Sequence, residues 1–121
     1  MADKIKVPED AGPYEATLSL GRFPFDWELW DYAPSAAGWS KLKIGAGSNF
    51  CKLRLPEAAR AELAGHVLVW SVMLVDLDTD VHATELTVGL AGPKLAATPV
   101  KATFDASPDR PHLFVSVAVE A

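Results

Sequence analysis

The feature that most constrains the fold of this chain is the alternation of apolar and polar residues in short segments. Every second residue is apolar in residues 14–20, 86–90, 100–104 and 113–119. A period of two predicts β-strands with one buried face, because successive side chains of a strand point to opposite faces. Turn residues separate the segments about every ten positions, so we predict an all-β fold, an antiparallel β-sandwich or barrel of about seven to eight strands.

One segment has the character of a helix. Pro56 suits the first turn of a helix, residues 57–64 are good helix formers, and Gly65 can take the left-handed conformation that ends one. We predict a single short helix over residues 57–64, acting as a crossover between strands.

Local patterns also predict strand pairings. Residues 39–44 and 49–55 both alternate, and the Gly-rich stretch 45–48 between them predicts a hairpin turn. Residues 66–77 are rich in Val, Leu and Met, which predicts a central strand buried on both faces. We expect residues 81–90 to be its antiparallel neighbour.

The same alternation predicts which side chains form the core. We expect the core to contain the apolar members of the alternating segments and the centre of the apolar strand. They are Leu18, Leu20, Leu53, Leu55, Val69, Trp70, Leu74, Leu86, Val88, Val115 and Val117.

The length of 121 residues fits one domain, because a second unit would have too few residues to bury its own core. Residues 1–13 carry Pro8, Gly12 and Pro13 among charges, which indicates a flexible N-terminal arm. Residues 14–121 are predicted to form a single β-rich domain.

Charge and hydropathy limit the partners. The net charge of −5 repels phosphate backbones, so nucleic acid is not expected as a partner. The longest apolar run, residues 67–75, is much shorter than the roughly 20 residues that span a bilayer. The first ten residues lack the apolar stretch of a signal peptide. We expect no membrane partner, and a cytoplasmic location or assembly into a particle from the cytoplasm.

The acidic run Asp76, Asp78 and Asp80 has the spacing with which a calcium loop begins. The sixth position of such a loop needs glycine but is Val81, and the twelfth needs a bidentate carboxylate but is Thr87. The run therefore favours a β-turn with solvated carboxylates.

Other chemistry-bearing residues are scattered. His66, His82 and His112 share no short metal-ligand spacing, and Cys51 has no neighbouring base to lower its pKa. No serine lies in a nucleophile elbow. We predict no enzyme activity, and no metal or redox cofactor.

The most unusual feature is an aromatic segment with six rings within seventeen residues. Such rings can fill a core, anchor a protein interface, or stack on sugar rings. As candidate interface or ligand-platform residues, the segment supplies Phe23, Phe25, Trp27, Trp30, Tyr32 and Trp39.

The composition favours a protein partner over a substrate. A domain this small should be polar on average, yet its mean hydropathy is +0.12, which indicates apolar surface that meets a partner. We therefore predict a non-enzymatic structural or assembly protein that forms a homo-oligomer or docks on a larger assembly through the aromatic segment and the N-terminal arm. By architectural analogy alone, a particle-decorating or virion accessory protein has this form. The alternative is a small carbohydrate-binding module with an aromatic platform.

Overall fold

A computed structural model describes residues 3–6, 14–21, 24–35, 38–49, 52–55, 65–75, 82–91 and 99–120. These residues form nine strands and contain no helix. The helix predicted over residues 57–64 lies outside them. The strands are β1 (Asp3–Lys6), β2 (Glu15–Leu20), β3 (Phe25–Ser35), β4 (Gly38–Ser48), β5 (Lys52–Arg54), β6 (Val67–Leu74), β7 (His82–Ala91), β8 (Val100–Ala106) and β9 (His112–Glu120).

The strands build two sheets that share one core. The first sheet has the order β1-β9-β6-β3-β4 and the second the order β5-β2-β7-β8. All pairs are antiparallel except β1 with β9. The predicted all-β, sandwich-like fold is thereby confirmed, with nine strands in the described residues instead of seven to eight.

Alternating side chains of both sheets meet in the core. In β9 the odd-numbered residues from Leu113 to Val119 are buried, and in β7 the even-numbered residues from Thr84 to Leu90 are buried. Burial of these apolar side chains supplies the main favourable free energy of folding. Eight of the predicted core residues are buried: Leu18, Leu55, Trp70, Leu74, Leu86, Val88, Val115 and Val117.

Three residues of the predicted core lie elsewhere. Leu20 and Leu53 are half-buried and pack against the edge of the core. Val69 was wrongly predicted: it is half-buried on the opposite side of β6 from Trp70, because neighbouring strand residues point to opposite faces.

The prediction of a flexible arm is corrected for residues 3–6. They form β1, which pairs in parallel with β9, and Ile5 is buried in the core. Lys4 points outward and forms an ion pair with Glu120 at 3.2 Å. One apolar residue between two lysines is too short a pattern to reveal a strand whose partner lies at the far end of the chain. Residues 7–13 lie outside the described part.

The predicted hairpin between residues 39–44 and 49–55 is also wrong. β4 continues to Ser48 and pairs with β3, whereas β5 pairs with β2 in the other sheet. Gly45 lies within β4, at a position where a Cβ atom would overlap the methyl groups of Leu53. The glycine therefore makes room for the Leu53 side chain of the other sheet, and does not mark a turn.

The strands β6 and β7 were predicted to pair, and the structure places them in different sheets. β6 lies between β3 and β9, as the central strand of its sheet. Its burial alternates, with Leu68, Trp70, Val72 and Leu74 inside. The prediction that both faces are buried is therefore wrong for the described residues, and an apolar outer face is left on the central strand.

Shortening a core valine should destabilise the fold, which tests the assignment of faces. Val88→Ala or Val117→Ala should lower the free energy of unfolding by about 1 to 3 kcal/mol, through lost transfer energy and an unfilled cavity. Val69→Ala, on the outer side of β6, is the matched control and should cost clearly less. Urea denaturation followed by circular dichroism measures all three. Equal losses for Val69 and Val117 would contradict the assignment.

No helix in the described part of the chain is long and apolar enough to cross a membrane.

Candidate functional site

The candidate site is the face of the five-stranded sheet that points away from the core, here called the outer face. Its central strands contribute Asp26, Glu28, Trp30 and Tyr32 from β3, and Val67, Val69, Ser71 and Met73 from β6. β9 contributes His112, Phe114 and Ser116, and β4 contributes Trp39, Lys41, Lys43, Ala46 and Ser48. No other described element packs on this face.

The structure divides the aromatic segment between the core and the outer face. Phe25 and Trp27 are buried between the sheets, at 6% and 2% exposure, so they are core residues and are removed from the candidate interface. Trp30 and Tyr32 have the opposite parity in β3 and lie on the outer face. Trp39 joins them from β4. Phe23 lies outside the described residues.

One half of the outer face is an apolar groove. It encloses about 440 Å³ and is bounded by Trp39 and Phe114, which are 59% and 54% exposed. Tyr32, Val67 and Val69 line its floor. Because these large apolar side chains are so exposed, most of the free energy of burying them would be gained only in a contact with a partner.

Trp30 is held in place beside this groove. Its indole Nε1–H donates a hydrogen bond to Glu28 Oε2 at 3.0 Å, and Lys41 Nζ lies 4.5 Å from the centre of its ring. The cation and the carboxylate fix the ring orientation, so little side-chain entropy remains to be lost on binding.

The other half of the outer face is a polar cleft of about 550 Å³. Asp26, Glu28, Ser71 and His112 line it, together with Met73. Ser71 Oγ and His112 Nε2 lie 2.6 Å apart, and the tautomer of the histidine decides which atom donates. The His112 ring also packs on Phe114, with 4.1 Å between ring centres.

The pair of Ser71 and His112 was not found from the sequence, because 41 residues separate the two. It requires the pairing of β6 with β9. A serine beside a histidine base is part of a nucleophilic site, which also needs a group that orients the histidine. Among the described side chains, none is hydrogen-bonded to His112 Nδ1, so the set is incomplete.

On this face, the environment of Glu28 lowers the pKa of its carboxyl group. Lys43 Nζ lies 3.2 Å from Glu28 Oε1, and this hydrogen bond is the largest cause that lowers the pKa of Glu28 below its ordinary value. Partial desolvation acts in the opposite direction, and the indole of Trp30 adds a further lowering. The carboxylate is therefore the favoured form, and it neutralises Lys43 at the middle of the face.

Removing the lysine should raise the pKa of Glu28. We expect Lys43→Met to shift the carboxyl ¹³C titration of Glu28 to higher pH, whereas Lys41→Met, which does not contact Glu28, should leave it nearly unchanged. Because the folded-state pKa is lowered, the stabilisation from this ion pair is present above the ordinary carboxyl pKa and is lost as the pH falls through the folded value. An unshifted titration in Lys43→Met would show that Lys43 is not the cause.

Of the three histidines weighed as metal ligands, the side chains of His66 and His112 are not brought together, and His82 begins β7 in the other sheet. His66 precedes β6 and His112 begins β9, where it pairs with Met73 at the far end of β6. His66 Nδ1 instead contacts both carboxylate oxygens of the buried Asp31, at 2.9 and 3.0 Å. This contact ties the start of β6 to β3.

The other residues weighed for metal binding or catalysis are not described by the structure. Cys51 and the acidic run at Asp76, Asp78 and Asp80 lie outside the described residues. Among the residues that are described, no group of three or more His, Cys, Asp or Glu side chains could hold a metal ion.

Comparison of the chain with protein-family models, with curated proteins and with solved structures found no match.

Proposed function

We propose that this protein is a non-enzymatic assembly protein that associates with a second copy of itself through the outer face of the five-stranded sheet. The observation that carries the proposal is the distribution of exposed apolar side chains. Of the four large apolar side chains that are most exposed among the described residues, Trp39, Met73 and Phe114 lie on this one face. The fourth, Leu42, lies on the opposite side of β4.

The central strand supports the same proposal. A strand with apolar residues on both sides is typical of a sheet covered on both sides, and β6 is apolar on both sides except at Ser71. Val67 and Val69 continue the apolar character of β6 onto its outer side, between Tyr32 and Trp30 on β3 and residues of β9. A second sheet packed on this face would supply the missing cover.

The chemistry of the polar cleft favours association over turnover. Ser71 and His112 have no orienting side chain among the described residues, and Glu28 is neutralised by Lys43. A neutralised pair of this kind leaves no unpaired charge at the middle of the face, and unpaired charges are depleted at the centre of protein interfaces. Docking on a larger particle would use the same face with a different partner.

The N-terminal arm has a smaller role in the proposal than the sequence indicated. Ile5 packs in the core and β1 completes the edge of the five-stranded sheet. Residues 3–6 therefore support the sheet that carries the outer face, and the proposed contact rests on the outer face itself.

Sedimentation equilibrium over a wide range of protein concentrations tests the proposal. We expect the weight-average mass to rise reversibly with concentration from 13.0 kDa toward twice that value. A small interface of this kind predicts a dissociation constant of the order of micromolar. A protein that stays monomeric up to millimolar concentration would contradict self-association.

A carbohydrate-binding role is the second candidate, and one observation favours it. Asp26 and His112 line the polar cleft, and the His112 ring packs on the exposed ring of Phe114, a combination that can hold a sugar by hydrogen bonds and stacking. A monomer whose Trp fluorescence responds to a soluble oligosaccharide, and whose response is lost in Asp26→Asn, would promote this role.

A further inference from the structure

The unpaired charges of the outer face lie at opposite ends of its strands. Strand pairing places Lys41 in one row with Tyr32 and Val67, at the end of the face where β6 begins. Asp26 lies in a row with Met73 and Ser48, at the other end. Between these rows, Glu28 and Lys43 neutralise each other at 3.2 Å. The face is thus basic at one end and acidic at the other.

With the strands of the two copies aligned, as in most face-to-face sheet packings, two symmetric arrangements are possible, and they differ in the charges that meet. If the two-fold axis runs across the strands, each strand lies over its own copy with its ends reversed. Lys41 of one copy then lies over Ser48 of the other. Ser48 is paired with Asp26 on the adjacent strand, about 4.8 Å away, which is within reach of a lysine side chain.

If the axis instead runs along the strands, the rows meet their own copies. β4 then lies over β1 of the partner, and Lys41 faces the partner's Lys4, whose charge is already neutralised by its ion pair with Glu120. Lys41 therefore gains an unpaired carboxylate as its partner only when the axis runs across the strands, and opposite charges that meet in this way favour one orientation. The charge layout therefore distinguishes the two arrangements.

We infer that a second copy of this chain packs on the outer face with its two-fold axis across the strands, so that Lys41 of each copy pairs with Asp26 of the other. This inference rests on the proposed self-association and specifies its geometry. Five strands about 4.8 Å apart and four residue rows about 6.8 Å apart give a face of the order of 500 Å². That area is near the lower limit for a specific contact, where complementary charge decides the orientation.

Charge reversal tests the arrangement. Lys41→Asp alone and Asp26→Lys alone should each raise the dissociation constant of the dimer about tenfold or more, because each places like charges together at two symmetric positions. An equimolar mixture of the two variants should recover association as a mixed dimer, since every contact then pairs opposite charges. Sedimentation velocity with one variant fluorescently labelled measures the mixed species.

Two controls make the outcomes distinct. Lys52→Asp makes the same change in net charge as Lys41→Asp, but on β5 of the other sheet, where Lys52 is exposed. This variant should leave the dimer unchanged. Thermal melting of each variant shows that it is folded. Recovery in the mixture supports the arrangement. A wild-type dimer without recovery in the mixture overturns the arrangement alone, whereas a wild type that never dimerises overturns the proposed function and this inference with it.

Discussion

Trp70→Ala is expected to lower the free energy of unfolding by about 3 to 5 kcal/mol, the largest loss that we expect from any single change described above. Trp70 is fully buried on β6, and its strand neighbours across the sheet are Leu29 and Val115. Truncation removes a large ring from the middle of the five-stranded sheet, and strands held on both sides can close the resulting cavity only in part. Urea denaturation followed by far-ultraviolet circular dichroism measures the loss.

Trp70→Phe is the matched comparison. The indole Nε1–H of Trp70 is buried and makes no hydrogen bond with any described residue. Replacing the indole by a phenyl ring removes this unsatisfied donor and keeps most of the apolar volume, so the loss should be only about 1 to 2 kcal/mol. Equal stabilities of Trp70→Ala and the wild type would show that the ring is not part of the core.

Trp39→Ala and Phe114→Ala are expected to weaken self-association by about 2 kcal/mol each, close to a thirtyfold increase in the dissociation constant. The two rings bound the apolar groove and project from β4 and β9, so each would be fully desolvated only in the complex. Because both are more than half exposed in the single chain, their removal should change the stability of the monomer little. Sedimentation equilibrium gives the dissociation constants.

Leu42→Ala provides the control for these two variants. Leu42 is 62% exposed on β4, close in sequence to Trp39, but it points to the other side of the sheet. It therefore matches Trp39 in exposure and strand and differs in face. If Leu42→Ala weakened association as much as Trp39→Ala, contact through the outer face would be wrong and pairing along the β4 edge would be favoured.

The sequence was sufficient for the class of fold because alternation is a local property. The pattern of β9 correctly assigned Val115 and Val117 to the core, and that of β7 assigned Leu86 and Val88. Alternation states which side chains share a face, but it does not state which strand is the neighbour. For this reason the pairings of β4 with β5 and of β6 with β7 were wrongly predicted: in each case the next strand along the chain lies in the other sheet.

The candidate site was predictable only in part. In β3 both parities carry aromatic rings, so the sequence could not show that Trp27 is inside and Trp30 outside. The sequence did indicate that Phe114 is exposed, since it occupies a polar position in the alternation of β9. It was nevertheless not included among the predicted interface residues. The contact of Ser71 with His112 depends on the pairing of β6 with β9 and has no local signature.

The central claim is that the outer face becomes buried when two copies meet, and hydroxyl-radical footprinting at low and high protein concentration measures this directly. We predict that oxidation of Trp39, Met73 and Phe114 falls as the concentration passes through the dissociation constant, while oxidation of Leu42 stays constant. If the oxidation of each of the four residues did not change with concentration, or if Leu42 alone became protected, the claim would be contradicted.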